Sequence, residues 1–181
     1  MGAAGSGEGG VTGRLNFLAL LLASLVVSCS PAEMPGQSAE SELVYAKADD
    51  VEVNAAMKAA KDSLPEFWSR YDAQRPGDGP FLLKVALPTR DDDLEYIWMF
   101  VTTREPKITG ALANAPVKID GVSEGSTVTV TEDQISDWTY VRDEVVYGQF
   151  TTRVFAGRAS PEERAAMMDG LSPTPIETEK P

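Results

Sequence analysis

One stretch of this chain, residues 95–103, strongly favours a strand inside a sheet. It reads EYIWMFVTT, and successive side chains of a strand point to opposite faces. Large apolar side chains fall on both faces, namely Tyr96, Trp98 and Phe100 on one side and Ile97, Met99 and Val101 on the other. This pattern predicts a central strand that is covered on both faces.

Shorter runs on either side predict a sheet around this strand. Alternating and β-branched side chains, with turn residues between the runs, are typical of strands. The predicted strands are residues 81–87, 95–103, 107–112 and 126–131, and a hairpin pairs residues 138–141 with residues 145–147.

Helices are predicted on both sides of these strands. Residues 49–74 carry apolar side chains at spacings of three and four, namely Val53, Met57, Ala60, Leu64, Phe67 and Tyr71. Asp49 or Asp50 can cap the start. Pro65 predicts a break after Ser63 or Leu64 and would be the first residue of a second helix. A final short helix is predicted from Ser160 as cap, Pro161 as first residue and Glu163 as capping-box partner.

This order of elements predicts an α+β domain over residues 49–170. An N-terminal helix pair would pack on a small twisted antiparallel sheet, with a short C-terminal helix after it. The sheet is either open or closed halfway into a barrel, and the open form is slightly favoured. Residues 29–48 and 171–181 are rich in Ser, Pro and charged residues, which predicts a disordered tether and a disordered tail.

The N-terminal region is typical of a bacterial lipoprotein. Residues 15–28 are mostly apolar and uncharged, follow Arg14 directly, and are too few to span a bilayer, which needs about 20 residues. Residues 1–28 are therefore predicted to be a signal peptide. Val26, Val27 and Ser28 before Cys29 resemble a lipobox, so we expect cleavage before Cys29 and lipid on its sulfur. Ser30, in place of an aspartate, favours the outer membrane, with the domain facing the periplasm.

Three other interpretations of this region remain open. They are a plain secretory signal, an uncleaved anchor and a myristoylated terminus, since residues 1–6 fit the short myristoylation pattern. The last of these leaves both the apolar run and Cys29 unexplained. Val11 is an alternative start of the signal.

Five segments resemble a known bacterial family. They are residues 60–67 (AKDSLPEF), 81–85 (FLLKV), 95–99 (EYIWM), 108–117 (ITGALANAPV) and 135–140 (ISDWTY). In this order and spacing the chain resembles the YegJ-like family, domain of unknown function 2314, over about residues 51–150. The resemblance implies a small bacterial α+β domain. It implies no established activity, cofactor or catalytic residue.

The charge and the composition of the chain disfavour several classes of function. The formal net charge is −12, so nucleic acid is a poor partner. The sequence contains no histidine and a single cysteine, which disfavours the triad nucleophiles and imidazole-bound zinc. We expect no cofactor, no metal and no catalytic residue.

Four residues are candidate binding residues. Asp137, Trp138 and Tyr140 place an acid beside two aromatic side chains, as in a ligand pocket, although a core tryptophan beside a turn-capping aspartate explains them as well. Asn114 begins a loop before Pro116 that can present backbone to a ligand.

Two further groups of charged residues have plainer explanations. Asp91, Asp92 and Asp93 could hold a hard cation, but they lack the spacing of a calcium loop and fit a solvated turn. Lys84 and Glu95 lie on adjacent predicted strands, as an acid–base pair or a cross-strand ion pair.

The sequence therefore predicts a non-enzymatic binding module that is tethered to the membrane through lipid and meets an unidentified protein partner. A first alternative is an enzyme that uses Asp137, Glu95 or Asp143 as acid or base. A second is an immunity-type inhibitor, whose negative charge would meet a basic toxin.

Overall fold

The computed structural model describes residues 50–177. The predicted signal peptide, Cys29 and the predicted tether lie outside these residues. The described part begins with two helices, α1 (Val51–Asp62) and α2 (Leu64–Ala73). Asp50 caps α1, because its Oδ1 accepts hydrogen bonds from the Glu52 and Val53 amides at 3.1 Å. The break predicted at Ser63 is confirmed, although Pro65 is the second residue of α2 and not the first.

Six antiparallel strands follow and form one open sheet. They are β1 (Asp78–Pro88), β2 (Leu94–Thr103), β3 (Ile108–Leu112), β4 (Thr127–Val130), β5 (Ile135–Arg142) and β6 (Val145–Gly148). Their order across the sheet is β4-β3-β2-β1-β5-β6. The α+β class and the open antiparallel sheet are therefore confirmed.

The core lies between α1, α2 and one face of the sheet. Phe67 from α2, Leu83 from β1 and Trp138 from β5 are fully buried there. The Trp138 indole also donates from Nε1 to the Ala60 carbonyl and to Ser63 Oγ, both at 3.0 Å. These bonds fix the junction of the two helices against β5.

The opposite face of β2 is more open than the sequence predicts. Trp98 is 2% exposed, but Tyr96 and Phe100 on the same face are 37% and 39% exposed. The expectation of a strand covered on both faces is therefore wrong for these two aromatic side chains. The reason is that α1 and α2 pack on the other face, which carries Ile97 and Met99.

Two helices follow the sheet, α3 (Phe150–Arg158) and α4 (Pro161–Met168). The start of α4 is as predicted, because Ser160 Oγ accepts from the Glu163 amide while the Glu163 carboxylate accepts from the Ser160 amide. Helix α3 is not predicted by the sequence pattern. Across residues 50–177, none of the helices combines the length and the apolarity needed to cross a bilayer.

The segment of residues 170–177 is ordered, which corrects the expectation of a disordered tail from residue 171. It runs along the outer edge of β6, where the Val146 amide donates to the Gly170 carbonyl at 2.9 Å. The Ser172 amide donates to the Val146 carbonyl at 2.8 Å, and the Gly148 amide donates to the Pro175 carbonyl at 2.7 Å. Hydrogen bonds to the edge strand β6 thus order a segment whose composition is otherwise typical of disorder.

Candidate functional site

Asp137, the predicted acid, is a buried cap for the start of α3. Its carboxylate is completely buried and accepts four hydrogen bonds. Three come from the backbone amides of Trp138 (2.8 Å), Phe150 (3.1 Å) and Thr151 (2.8 Å), and one from Thr151 Oγ1 (2.7 Å). Amides at a helix N-terminus favour a negative charge.

Lys84 is the charged neighbour of this carboxylate. It pairs with Asp137 across β1 and β5, is 4% exposed and lies with Nζ 3.5 Å from Thr151 Oγ1. Burial raises the pKa of Asp137, while the hydrogen bonds from Thr151 and the charge of Lys84 act in the opposite direction. All four contacts donate to the carboxylate oxygens and hold them in place. Asp137 therefore has a structural role and is not open to a ligand.

Trp138 and Asn114 do not form a pocket with Asp137. Trp138 lies in the core with both indole contacts inside the protein. Asn114 follows β3, and two strands, β2 and β1, separate β3 from β5. A ligand pocket at Asp137 and Trp138 is therefore the wrong interpretation of this segment, and the plainer alternative of a core tryptophan beside a capping aspartate describes it. The separate prediction that the Asn114 loop presents backbone to a ligand stays a prediction.

The predicted pair of Lys84 and Glu95 is also wrong. Lys84 faces Trp98 across β1 and β2, whereas Glu95 faces Leu87. The Glu95 carboxylate instead accepts from the amides of Val117 at 2.7 Å and Lys118 at 2.8 Å. Its function in the fold is to hold the loop after β3 against β2.

The remaining predicted acids lie in turns. Asp143 is in the turn between β5 and β6 with a φ of 48°. Residues 91–93 form a turn in which Thr89 Oγ1 accepts from the Asp93 amide at 3.2 Å. In the described part of the chain, His, Cys, Asp and Glu nowhere gather in groups of three or more that could hold a metal ion.

Two arginines converge on one carboxylate at the other end of β5. Arg70 of α2 lies with Nη2 2.9 Å from Glu177 Oε2, and Arg142 at the end of β5 donates from Nη1 to the same oxygen at 3.3 Å. We call Arg70, Arg142 and Tyr140 the arginine site. Glu177 occupies it from the end of the segment that follows β6.

The arginine site contains polar atoms that the fold leaves unused. Arg70 is 8% exposed and Tyr140 is fully buried. Within residues 50–177, neither Arg70 Nε nor the Tyr140 hydroxyl has a hydrogen-bond partner. Such a group costs about 1–3 kcal/mol when it is buried without a partner. The Tyr140 ring stacks on Phe81 at 5.6 Å and on Tyr147 at 5.2 Å between centroids, which fixes its position.

Both guanidinium groups of the arginine site keep their charge beside several carboxylates. Arg142 Nε lies 3.9 Å from Asp78 Oδ1 and 3.8 Å from Asp143 Oδ2. Burial opposes the charge of Arg70, but the carboxylates of Glu177 and Glu66 outweigh it, so that the pKa of Arg70 is raised. Burial raises the pKa of Tyr140 to about 12, against the opposing effect of Arg70. At neutral pH the site therefore holds two guanidinium ions and a neutral hydroxyl, which is a set of donors suited to a carboxylate.

Of the residues in the arginine site, the sequence predicts only Tyr140 as a binding residue. Arg70 follows Glu66 by one helical turn, which is the usual pattern of a solvated surface pair. Arg142 stands next to a turn, and Glu177 lies in a segment expected to be disordered. No local pattern joins residues so far apart along the chain.

Tyr140→Phe tests whether the unused hydroxyl is kept at the expense of stability. Because the hydroxyl is buried without a partner, its removal should raise the free energy of unfolding by about 1 kcal/mol. Urea denaturation of both proteins measures this, with the half-buried Tyr147→Phe as control. A loss of stability of about 1 kcal/mol or more in Tyr140→Phe alone would mean that the hydroxyl supports the fold.

Comparison with known proteins assigns this domain to a family. The family model described as "Uncharacterized protein conserved in bacteria (DUF2314)" matches residues 50–171. The chain belongs to this family. The resemblance seen in the sequence is thereby confirmed, and the matched range of the DUF2314 domain includes Arg70, Tyr140 and Arg142 but ends before Glu177.

A curated relative is similar to this chain over about half of its own length. The "Putative ankyrin repeat protein" of Neisseria meningitidis serogroup B is 29% identical over 133 residues, which are 69% of this chain and 53% of that protein. The chain thus spans about half the length of this relative. No solved structure matches this chain significantly.

Proposed function

We propose that the chain is a lipid-anchored bacterial protein whose DUF2314 domain is a non-enzymatic binding module for a carboxylate-bearing partner. The observation that carries the binding part is the convergence of Arg70 and Arg142 on one carboxylate oxygen. Guanidinium groups are planar, stay charged and bind carboxylates with defined geometry. Two of them from different elements, beside an unused tyrosine hydroxyl, form a recognition site for an anion.

The arrangement of the acids favours binding over catalysis. A general acid or base must reach a substrate proton. Asp137 is enclosed by four donors, and Glu95 is held by two backbone amides. Asp143 lies in the β5–β6 turn, so the three acids of the enzyme alternative do not face a shared site. The donors of the two guanidinium groups likewise favour an acidic group over the basic toxin of the second alternative.

The relative from Neisseria supports the idea of a module. The matched part makes up 53% of that protein, so the domain is joined there to further sequence. A domain that is joined to further sequence in another protein can act there as a separate unit, as a binding module does. What the relative binds is not carried over to this chain.

The anchoring part of the proposal depends on the N-terminal sequence. An uncharged apolar run of 15–28 and the lipobox-like residues before Cys29 support acylation of that cysteine. Two or three acyl chains suffice for stable membrane attachment. The domain would then act at the envelope surface to which the chain is tethered, with the periplasmic face of the outer membrane as the proposed location.

Cys29→Ala tests the anchor. Without the acyl chains, the protein should move almost completely from the membrane fraction to the soluble fraction of fractionated cells, because a single unlipidated domain lacks the apolar chains that hold it. Immunoblotting measures the distribution, and Ser30→Ala is the matched control that keeps the cysteine. Unchanged membrane retention of a Cys29→Ala protein from which residues 1–28 have been cleaved would refute the lipid anchor.

Calorimetric titration tests the binding module. Glu177→Gln removes the internal carboxylate, and propionate, which carries the same carboxylate as a glutamate side chain, should then bind with a millimolar dissociation constant. Arg142→Gln in the same background should abolish the heat of binding. If propionate does not bind Glu177→Gln, or binds equally after Arg142→Gln, the arginine site is not an anion site.

A further inference from the structure

We infer that the ligand of the arginine site is an extended acidic peptide of a partner protein, and that residues 170–177 occupy its place. This inference rests on the proposed binding function and names the class of ligand. The edge of β6 and the arginine site together bind this segment, and we call this surface the groove. Residues 170–177 therefore show what the groove accepts.

The first feature is backbone pairing with β6. Val146 and Gly148 donate amide hydrogens to the carbonyls of Gly170 and Pro175, and the Val146 carbonyl accepts from the Ser172 amide. Arg153 adds a hydrogen bond from Nη1 to the Ser172 carbonyl at 2.9 Å. These contacts are made to backbone atoms of the segment and do not depend on the identity of its side chains. An edge strand accepts an added peptide in this way.

The second feature is the carboxylate at the end of the segment. Ile176 packs against the core, and the next residue, Glu177, bonds to Arg70 and Arg142. An apolar residue followed by an acid is therefore the pattern that the groove recognises. The two arginines and β6 lie within the family match of residues 50–171, whereas Glu177 lies beyond it. The groove is thus part of the domain, whereas most of its occupant, including Glu177, comes from outside the matched range.

An internal occupant lowers the apparent affinity for any external peptide, because only the fraction of molecules with an open groove can bind it. Loss of the Glu177 carboxylate should open the groove more often. Glu177→Gln should therefore bind an acidic peptide more tightly than the native protein does, by about tenfold or more.

The probe is a fluorescent peptide with the sequence of residues 170–177, GLSPTPIE, capped at both ends so that the glutamate carries its only carboxylate. The matched control peptide ends in glutamine. Fluorescence anisotropy measures binding to the mature protein, to Glu177→Gln and to Glu124→Gln, an exposed acid remote from β6 in sequence. We expect the tightest binding for the glutamate peptide with Glu177→Gln, about tenfold or more above the native protein and Glu124→Gln, and loss of this binding when Arg142→Gln is added.

The outcomes separate this inference from the proposed function. If propionate binds Glu177→Gln but the glutamate peptide binds no better than the glutamine peptide, the peptide inference is overturned and the anion site stands. If neither ligand binds, both are overturned. Sedimentation showing that the protein forms a dimer by exchanging residues 170–177 would assign the groove to a second copy and overturn the partner peptide. Circular dichroism checks that Glu177→Gln is folded, and a variant with Glu177→Ala repeats the test if it is not.

Discussion

Replacing Gly148 with alanine should prevent the protein from reaching its native fold. Gly148 has a φ of +81° and lies directly against β5. A Cβ atom there would overlap the Trp138 carbonyl oxygen and lie 2.6 Å from Cε3 of the Trp138 ring. Neither group can retreat, because the ring is buried in the core and the same carbonyl accepts from the Gln149 amide at 2.9 Å. We expect a cost above about 4 kcal/mol, which is a large share of typical domain stability.

Two other glycines separate the steric cost from the backbone strain. Gly125 has the same φ of +81° but no atom within 4 Å of an added Cβ, so Gly125→Ala should cost only about 1–2 kcal/mol. Gly157 lies in α3 with open space around it, so Gly157→Ala should raise stability by about 0.5–1 kcal/mol. Urea denaturation followed by circular dichroism measures all three. A native-like Gly148→Ala, within about 1 kcal/mol of Gly125→Ala, would mean that the close approach to Trp138 is not rigid.

Asp137→Asn should be the second most damaging substitution, with a loss of about 3–5 kcal/mol. Each carboxylate oxygen of Asp137 accepts two hydrogen bonds, from Trp138 and Phe150 at Oδ1 and from the Thr151 amide and hydroxyl at Oδ2. An amide keeps only one oxygen, so two donors would face an NH₂ group. The buried Lys84 would also lose its neighbouring negative charge.

The effect of Asp137→Asn should be centred on α3. Hydrogen exchange should show reduced protection of the amides of residues 150–158, since the helix loses its cap. The control is Asp91→Asn, an exposed acid whose replacement should change stability by less than about 0.5 kcal/mol. An Asp137→Asn protein that loses less than about 1 kcal/mol would show that the carboxylate is not required as the acceptor.

Most helices and strands could be predicted from the sequence because the residues that determine them are close together along the chain. Alternation of apolar residues and turn residues identified the strands, and Pro65 identified the break between α1 and α2. Ser160 with Glu163 identified the start of α4. In each of these cases the residues that decide the structure lie within one turn or one strand of each other.

Helix α3 and the arginine site could not be predicted, because long-range contacts decide both. The cap of α3 is Asp137, 13 residues before Phe150 in sequence, and Phe150 and Phe155 do not follow a helical spacing. Arg142 and Glu177 are 35 residues apart. Composition alone predicts disorder for residues 171–177. Their order depends instead on contacts with β6 and with Arg70, which are distant in sequence and which composition does not reveal.

Arg70 and Arg142 are proposed to bind, together, a carboxylate from outside the chain. The most direct measurement is ¹⁵N NMR of the arginine side chains in Glu177→Gln, with and without the capped peptide GLSPTPIE. We predict that the Nε–H resonances of both Arg70 and Arg142 shift and saturate together, while those of Arg90, an exposed arginine paired with Asp120, stay unchanged. If neither resonance shifts, or if all arginines shift alike, the arginine site does not bind the peptide carboxylate.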